Sequence, residues 1–136
     1  MYEVPLERGK IREFARATMA RDETYDARDA AVPPTFLTTA MNLWEPQGEL
    51  DYGSFTLDLA RVLHGEEEFV FPDGPPTAGQ DLTVTARLGD VYEKPGRRGG
   101  TLTFVKLIHE FRDPEGRTVA EQRTTLIQTS QPPEGS

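Results

Sequence analysis

An α+β fold, an antiparallel sheet wrapped around one long helix, is the architecture this sequence predicts. Three features predict it. Pro33 to Trp44, PPTFLTTAMNLW, places Phe36, Leu37, Ala40, Met41 and Trp44 in the i, i+3, i+4 rhythm of one helical face. Most of the chain beyond Trp44 reads as strand and turn, so the helix has one sheet to pack against. The chain has 136 residues and no internal repeat, the length of one domain with one core.

Residues 1–9 read as a lead-in broken by Pro5 and Gly9. Lys10 to Ala20 set Ile11, Phe14, Ala15, Thr18 and Met19 on one side, a first amphipathic helix. Arg21 to Ala31, RDETYDARDAA, lacks an apolar period and is expected as a loop or short turns. The prolines at 33 and 34 suit the first turn of the central helix, and Glu45-Pro46 stops it. Gln47 to Ser54 is a connection. Phe55 to Arg61 fits a short strand and a helical turn equally. Val62 to Phe71 is a strand, PDGPPTAGQ a loop, and Asp81 to Glu93 a strand with one buried face. KPGRRGG is a hairpin tip. Thr101 to Arg112 is apolar on nearly both faces and belongs in the middle of the sheet. Asp113-Pro-Glu-Gly116 is a type I turn, and Arg117 to Ser130 the last strand. The expected organisation is one domain over 1–130, with 131–136 a frayed tail. A sheet curled around one helix leaves an edge strand to cover, and a second such domain is the simplest cover.

Composition narrows the function. The net charge of -8 argues against nucleic acid or an anionic membrane surface as partner. Without cysteine there is neither disulfide framework nor thiolate chemistry. Neither an apolar signal core nor a run of membrane-spanning length is present, so a cytoplasmic protein is the expectation. A hydrophobic content of 36% is low for a compact globule, a hint that a partner completes the core.

Several stretches together resemble a known family. They are YEV at Tyr2 to Val4, REFARA at Arg12 to Ala17, PPTF at Pro33 to Phe36 and VLHGEEEF at Val62 to Phe69. AGQDLTVTARLGDVYEKPGRRGGTLTFV at Ala78 to Val105 and FRDPEGRTVAEQRTTLI, ending at Ile127, complete them. In this order they resemble the N-terminal-half type of MaoC-like dehydratase domain, the FAS1-like or mycobacterial-type hydroxyacyl dehydratase subunit. The resemblance implies a hot-dog fold, paired with a second hot-dog domain. It implies hydro-lyase chemistry on an acyl thioester of coenzyme A or acyl carrier protein, with no cofactor and no metal. In such pairs one half is catalytic, and the type resembled here shapes the acyl tunnel and stabilises the pair.

Adding water to a 2-enoyl thioester, or removing it from a 3-hydroxyacyl one, needs an acid and a base, plus donors for the thioester oxygen. The catalytic half of the resembled family supplies an Asp and a His five residues later, in a D-x-N-P-x-H loop. Here Asp22 stands at the Asp place, Thr24 and Tyr25 at the Asn and Pro places, and Ala27 where the His would be. A short deletion would bring Tyr25 near the His place, but tyrosine, with a pKa near ~10, is a poor base at neutral pH. The first histidine is His64, followed by Gly65, which fits a bulge or a close approach, and trailed by Glu66, Glu67 and Glu68. It is an acid or metal-ligand candidate, though one histidine without a second ligand at fixed spacing favours a structural role. His109, between Leu107 and Phe111 in the alternation, reads as buried and structural.

Met41 and Trp44 are candidates to line an acyl tunnel, with ordinary core packing as the plainer reading. Lys94, Arg97 and Arg98 form a basic tip on an acidic chain, suited to coenzyme A phosphates or an acidic carrier, or simply solvated. Glu45, a thioesterase-like carboxylate in principle, sits at the helix stop. The reading is therefore a non-catalytic subunit of a hydroxyacyl-thioester dehydratase or enoyl-thioester hydratase, beside a catalytic MaoC-like chain. Its alternatives are an independent homodimeric hydratase or thioesterase, and a non-enzymatic acyl-thioester binding module.

Overall fold

The computed structural model describes residues 1–46 and 56–130. Strands β1 (Tyr2–Pro5), β2 (Val62–Val70), β3 (Asp81–Pro95), β4 (Thr101–Arg112) and β5 (Thr118–Thr129) form one antiparallel sheet. Their order is β1-β3-β4-β5-β2. β4 is central, as its apolar composition on both faces requires. The expected lead-in is instead an edge strand: Tyr2 and Val4 pair with Val84 and Leu82 and are buried. Four residues were too few to show a period, and Pro5, lacking an N–H, ends the strand at the sheet edge.

Helix α1 (Arg8–Ala17) buries Ile11 and Ala15 and sets the Phe14 ring edge-on to Phe36, centroids 5.5 Å apart. It stops three residues short of the expected Ala20, because the Thr18 hydroxyl turns back onto the Phe14 carbonyl at 2.9 Å and Met19 enters the left-handed region at φ 59°. The polar stretch beyond it holds one 3-10 turn, Glu23–Asp26.

The helix expected over Pro33–Trp44 lies over the sheet but is short. It runs as a 3-10 turn, Phe36–Thr38, into α2 (Thr39–Leu43). Its threonines explain the tightening: the Thr38 and Thr39 hydroxyls donate to the Thr35 and Phe36 carbonyls, each at 2.8 Å and each three residues back. Phe36, Leu37 and Ala40 pack on Leu82, Val84, Phe111 and Ala120 to form the main core, where Ile11 also sits.

The undecided stretch before β2 contains a 3-10 turn, Leu59–Arg61. The connection expected at Gln47 to Ser54, Phe55 and the tail 131–136 lie outside the described residues. The DPEG turn closes as expected: the Gly116 N–H donates to the Asp113 carbonyl at 2.9 Å, and Asp113 accepts from the Arg117 N–H at 2.9 Å and from Arg117 Nε at 2.8 Å. A second, smaller core gathers Val105, Leu107 and Leu126 with Leu57, Val62 and Leu88.

Candidate functional site

Between the two cores the concave face of the sheet turns polar. Alternation along β4 points Val105, Leu107, His109 and Phe111 to that face. Opposite them on β5 stand Leu126, Thr124, Gln122 and Ala120. Two of these four cross-strand pairs carry polar side chains, His109 with Gln122 and Leu107 with Thr124.

Edge strand β2 adds two more by way of a bulge. Register shifts between His64 and Glu66, so that His64 faces Leu126 and Glu67 faces Thr124, with Gly65 unpaired between them. Residues three apart on a regular strand point to opposite faces; the extra residue brings His64 and Glu67 to the same one. A Cβ at this bulge would stand 2.8 Å from Ile127 Cδ1 and 3.2 Å from the Thr125 carbonyl oxygen, so any side chain there requires Ile127 to shift. The sequence expectation of a bulge or close approach at Gly65 holds on both counts.

These side chains, with Thr38, Met41 and Asn42 of the helical segment above, enclose about 340 Å³. Met41, Asn42, His64 and Glu67 are exposed at the mouth, while Leu107, His109, Gln122 and Thr124 are buried at the floor. Glu67 Oε1 accepts from Gln122 Nε2 and, at 2.9 Å, from Thr124 Oγ1. Gln122 Oε1 and both ring nitrogens of His109 are buried without a hydrogen-bond partner. Burial holds the His109 imidazole below the ordinary value of 6.5, and the nearby Glu67 charge opposes the shift. The buried reading of His109 is correct, but its surroundings are not purely apolar.

The other sequence candidates lie elsewhere. Asp22 accepts from the Thr24 N–H at 3.0 Å, capping the 3-10 turn, and this bond, followed by one to the Thr24 side chain, lowers its carboxyl below 3.8. With Tyr25 it lines a separate hollow between α1 and that turn, beside Arg12, Arg16 and Arg21. Trp44 closes the helix with its N–H on the Ala40 carbonyl at 2.9 Å and packs on the main core. Lys94 Nζ lies 5.4 Å from the Tyr92 ring centre and 5.2 Å from that of Phe104, over two stacked rings. Arg97 and Arg98 are exposed at the hairpin tip, which begins six residues along β4 from Leu107, roughly 20 Å away. Of the sequence candidates, then, the concave cavity joins only Met41 and His64. It adds Glu67, His109, Gln122 and Thr124. Counting outward from the DPEG turn would pair His109 with Ala120; Arg112 instead pairs with Thr118, and a further register shift between Phe111 and Arg112 sets His109 opposite Gln122, which no sequence signal marked.

Among the described residues no group of three or more His, Asp or Glu is placed to hold a metal ion, and no helix is long and apolar enough to cross a membrane.

A five-stranded antiparallel sheet with one short helical segment against its concave face is the hot-dog arrangement. Residues 2–122 match the family described as FAS1-like, dehydratase domain region, and the chain belongs to that family. It is 30% identical over 145 residues to a UPF0336 protein of Saccharopolyspora erythraea, an alignment covering 98% of this chain and 87% of that protein. The HadBC (3R)-hydroxyacyl-ACP dehydratase complex of Mycobacterium tuberculosis superposes with a TM-score of 0.69 at 21% identity, over 92% of this chain and 89% of that one. The ChsH1-ChsH2 complex of the same organism gives 0.63 at 16%, over 96% and 86%. A MaoC-like dehydratase from Phytophthora capsici gives 0.71 at 18%, over 96% of this chain and 46% of that one.

Proposed function

We propose that this chain is the supporting half of a hydro-lyase that dehydrates 3-hydroxyacyl thioesters or hydrates 2-enoyl thioesters, with a catalytic MaoC-like chain as its partner. The observation that carries the reading is the broken acid/base loop. Asp22 is followed five residues later by Ala27, and no histidine precedes His64. Asp22 and His64 also line separate cavities. The reaction needs one group to take the Cα proton and another to protonate the departing hydroxyl, with donors on the thioester oxygen. The partner supplies these groups, and this chain supplies a wall of the acyl site around Met41 and a surface for pairing.

The family membership supports the chemistry, and two of the similar folds are described as complexes. Exposed Leu59 and Leu63 at the start of edge strand β2 support a partner surface. Lys94, Arg97 and Arg98 would meet the phosphates of a coenzyme A or carrier-protein thioester. The enzyme is cytoplasmic in this reading and uses no cofactor.

The test is co-purification with a neighbouring MaoC-like protein, then hydration of crotonyl-CoA and longer enoyl-CoA by each chain alone and by the mixture. Activity that rises only in the mixture supports the supporting role. Robust hydration by the isolated chain sinks it. One observation favours a second reading, an independent homodimeric hydratase: His64, Glu67 and His109 line one cavity. Activity of the isolated chain lost in His109→Leu would select it.

A further inference from the structure

The convex face of the sheet carries an apolar row in register across four strands. Tyr92 of β3 stands opposite Phe104 of β4, Phe104 opposite Ile127 of β5, and Ile127 opposite Leu63 of β2. Alternation turns all four away from the cavity, since their chain neighbours Val91, Val105, Leu126 and His64 form the matching row on the concave side. The Tyr92 and Phe104 rings stack with centres 5.0 Å apart. Leu63 and Tyr92, at the two ends, are 54% and 37% exposed, and Phe104 and Ile127 between them are half-buried. Single exposed apolar side chains are ordinary on a protein surface; four adjoining ones in one cross-strand row mark a contact surface.

The charges beside this row are sorted by strand. Arg87 and Lys94 of β3 and Lys106 of β4 make one half basic, against Asp90 in the β3 bulge and Glu110 farther along. Glu66 and Glu68 make the β2 side acidic, and Arg123 pairs with Glu68 and Glu121. Neither Lys106 nor Glu66 has an ion pair among the described residues. Two rows along from the apolar one, Arg87, Ile108, Arg123 and Glu68 stand in register. Consider a second copy laid face to face about a two-fold axis that runs parallel to the strands between β4 and β5. That axis exchanges β3 with β2 and β4 with β5 and keeps every row opposite itself. Tyr92 then meets Leu63 of the other copy, Phe104 meets Ile127, Arg87 meets Glu68, and Lys106 lies beside Glu66. Two twisted sheets stack at about 30°, an offset that the long arginine and lysine side chains span. A lipid surface offers one sign of charge and matches only half of this pattern. We propose that the convex face is a self-association surface on which a second copy of this chain packs sheet to sheet. From Leu102 to Ile108 and from β3 to β2 the face measures roughly 20 by 15 Å. That size puts the contact in the weak class, below about 1,200 Å² of buried surface, so the pair forms only at high concentration. The backbone edge of β2 stays open to another chain, and the inference does not rest on the hydro-lyase reading.

Sedimentation equilibrium of the full-length chain between about 10 μM and 1 mM covers the affinities of such a contact. A monomer–dimer equilibrium is expected. Tyr92→Lys should weaken it about tenfold or more while thermal unfolding shows the fold retained. Arg87→Glu and Glu68→Arg each set like charges together and should each weaken it about tenfold. An equimolar mixture of those two variants should regain the wild-type association, because both Arg87–Glu68 contacts of a mixed pair again join opposite charges. A chain that stays monomeric at every concentration overturns the proposal. So does a dimer that Tyr92→Lys leaves intact, which would lie on another surface, or a mixture that associates no better than its parts. Activity with a catalytic chain does not enter these measurements, so failure of the hydro-lyase reading leaves them unaffected.

Discussion

Gly65 shows how one residue type decides what a strand can present. Without its bulge, His64 and Glu67 would point to opposite faces, and the cavity mouth would lose one of them. Gly65→Ala puts a methyl 2.8 Å from Ile127 Cδ1. It is expected to lower unfolding stability by about 1–3 kcal/mol in a denaturant titration, as overpacking does. His109 carries the second prediction. Its folded pKa lies below the ordinary 6.5, so the unfolded chain binds more protons between those two values. Stability is then full above about pH 6.5 and falls as the pH drops toward the folded value. His109→Leu should flatten that part of the profile and raise stability near neutral pH by about 1 kcal/mol, because a buried unpaired group is removed. A wild-type profile identical to the variant's from pH 7 to pH 5 would show that His109 is not buried neutral.

The helical segment over the sheet illustrates a limit of periodicity. The apolar rhythm from Phe36 to Trp44 placed it correctly, yet only Thr39–Leu43 is α-helical, because threonine hydroxyls and Pro46 compete for the backbone. What holds it is its buried side chains rather than its length. Leu37 is 1% exposed within the main core, and Leu37→Ala should cost about 2–5 kcal/mol of stability by chemical denaturation. Among the strands, β4 was legible because composition alone separates a central strand from a half-exposed one. β1 was not, since Tyr2, Val4 and Leu6 are too few to establish a period and their burial depends on Val84 and Leu82 some eighty residues away.

Across the whole molecule the two sheet edges differ. β1 has four residues and ends in proline, while β2 has nine, with Leu63 outside at 54% exposed and Glu66 and Glu68 close by. The glutamates discourage indiscriminate pairing of that edge, and Leu63 offers an apolar anchor to a specific partner. Leu63→Glu is expected to abolish co-purification with a catalytic chain and to leave the melting temperature of the isolated chain unchanged. A complex that survives the substitution would move the pairing surface to Val91 and Tyr92 on β3, also partly exposed.

The local content of this protein was available in its residues: the class of fold, the central place of β4, the DPEG turn and the bulging glycine are all set by chemistry within a few neighbours. Only the tertiary structure decided the site. His109, Gln122, Thr124 and Glu67 come from three strands spread over 58 positions, and what makes them a site is cross-strand register and a bulge. Whether a buried nitrogen has a partner depends on atoms far away in the chain, and such partners are chosen by packing, which no local pattern records.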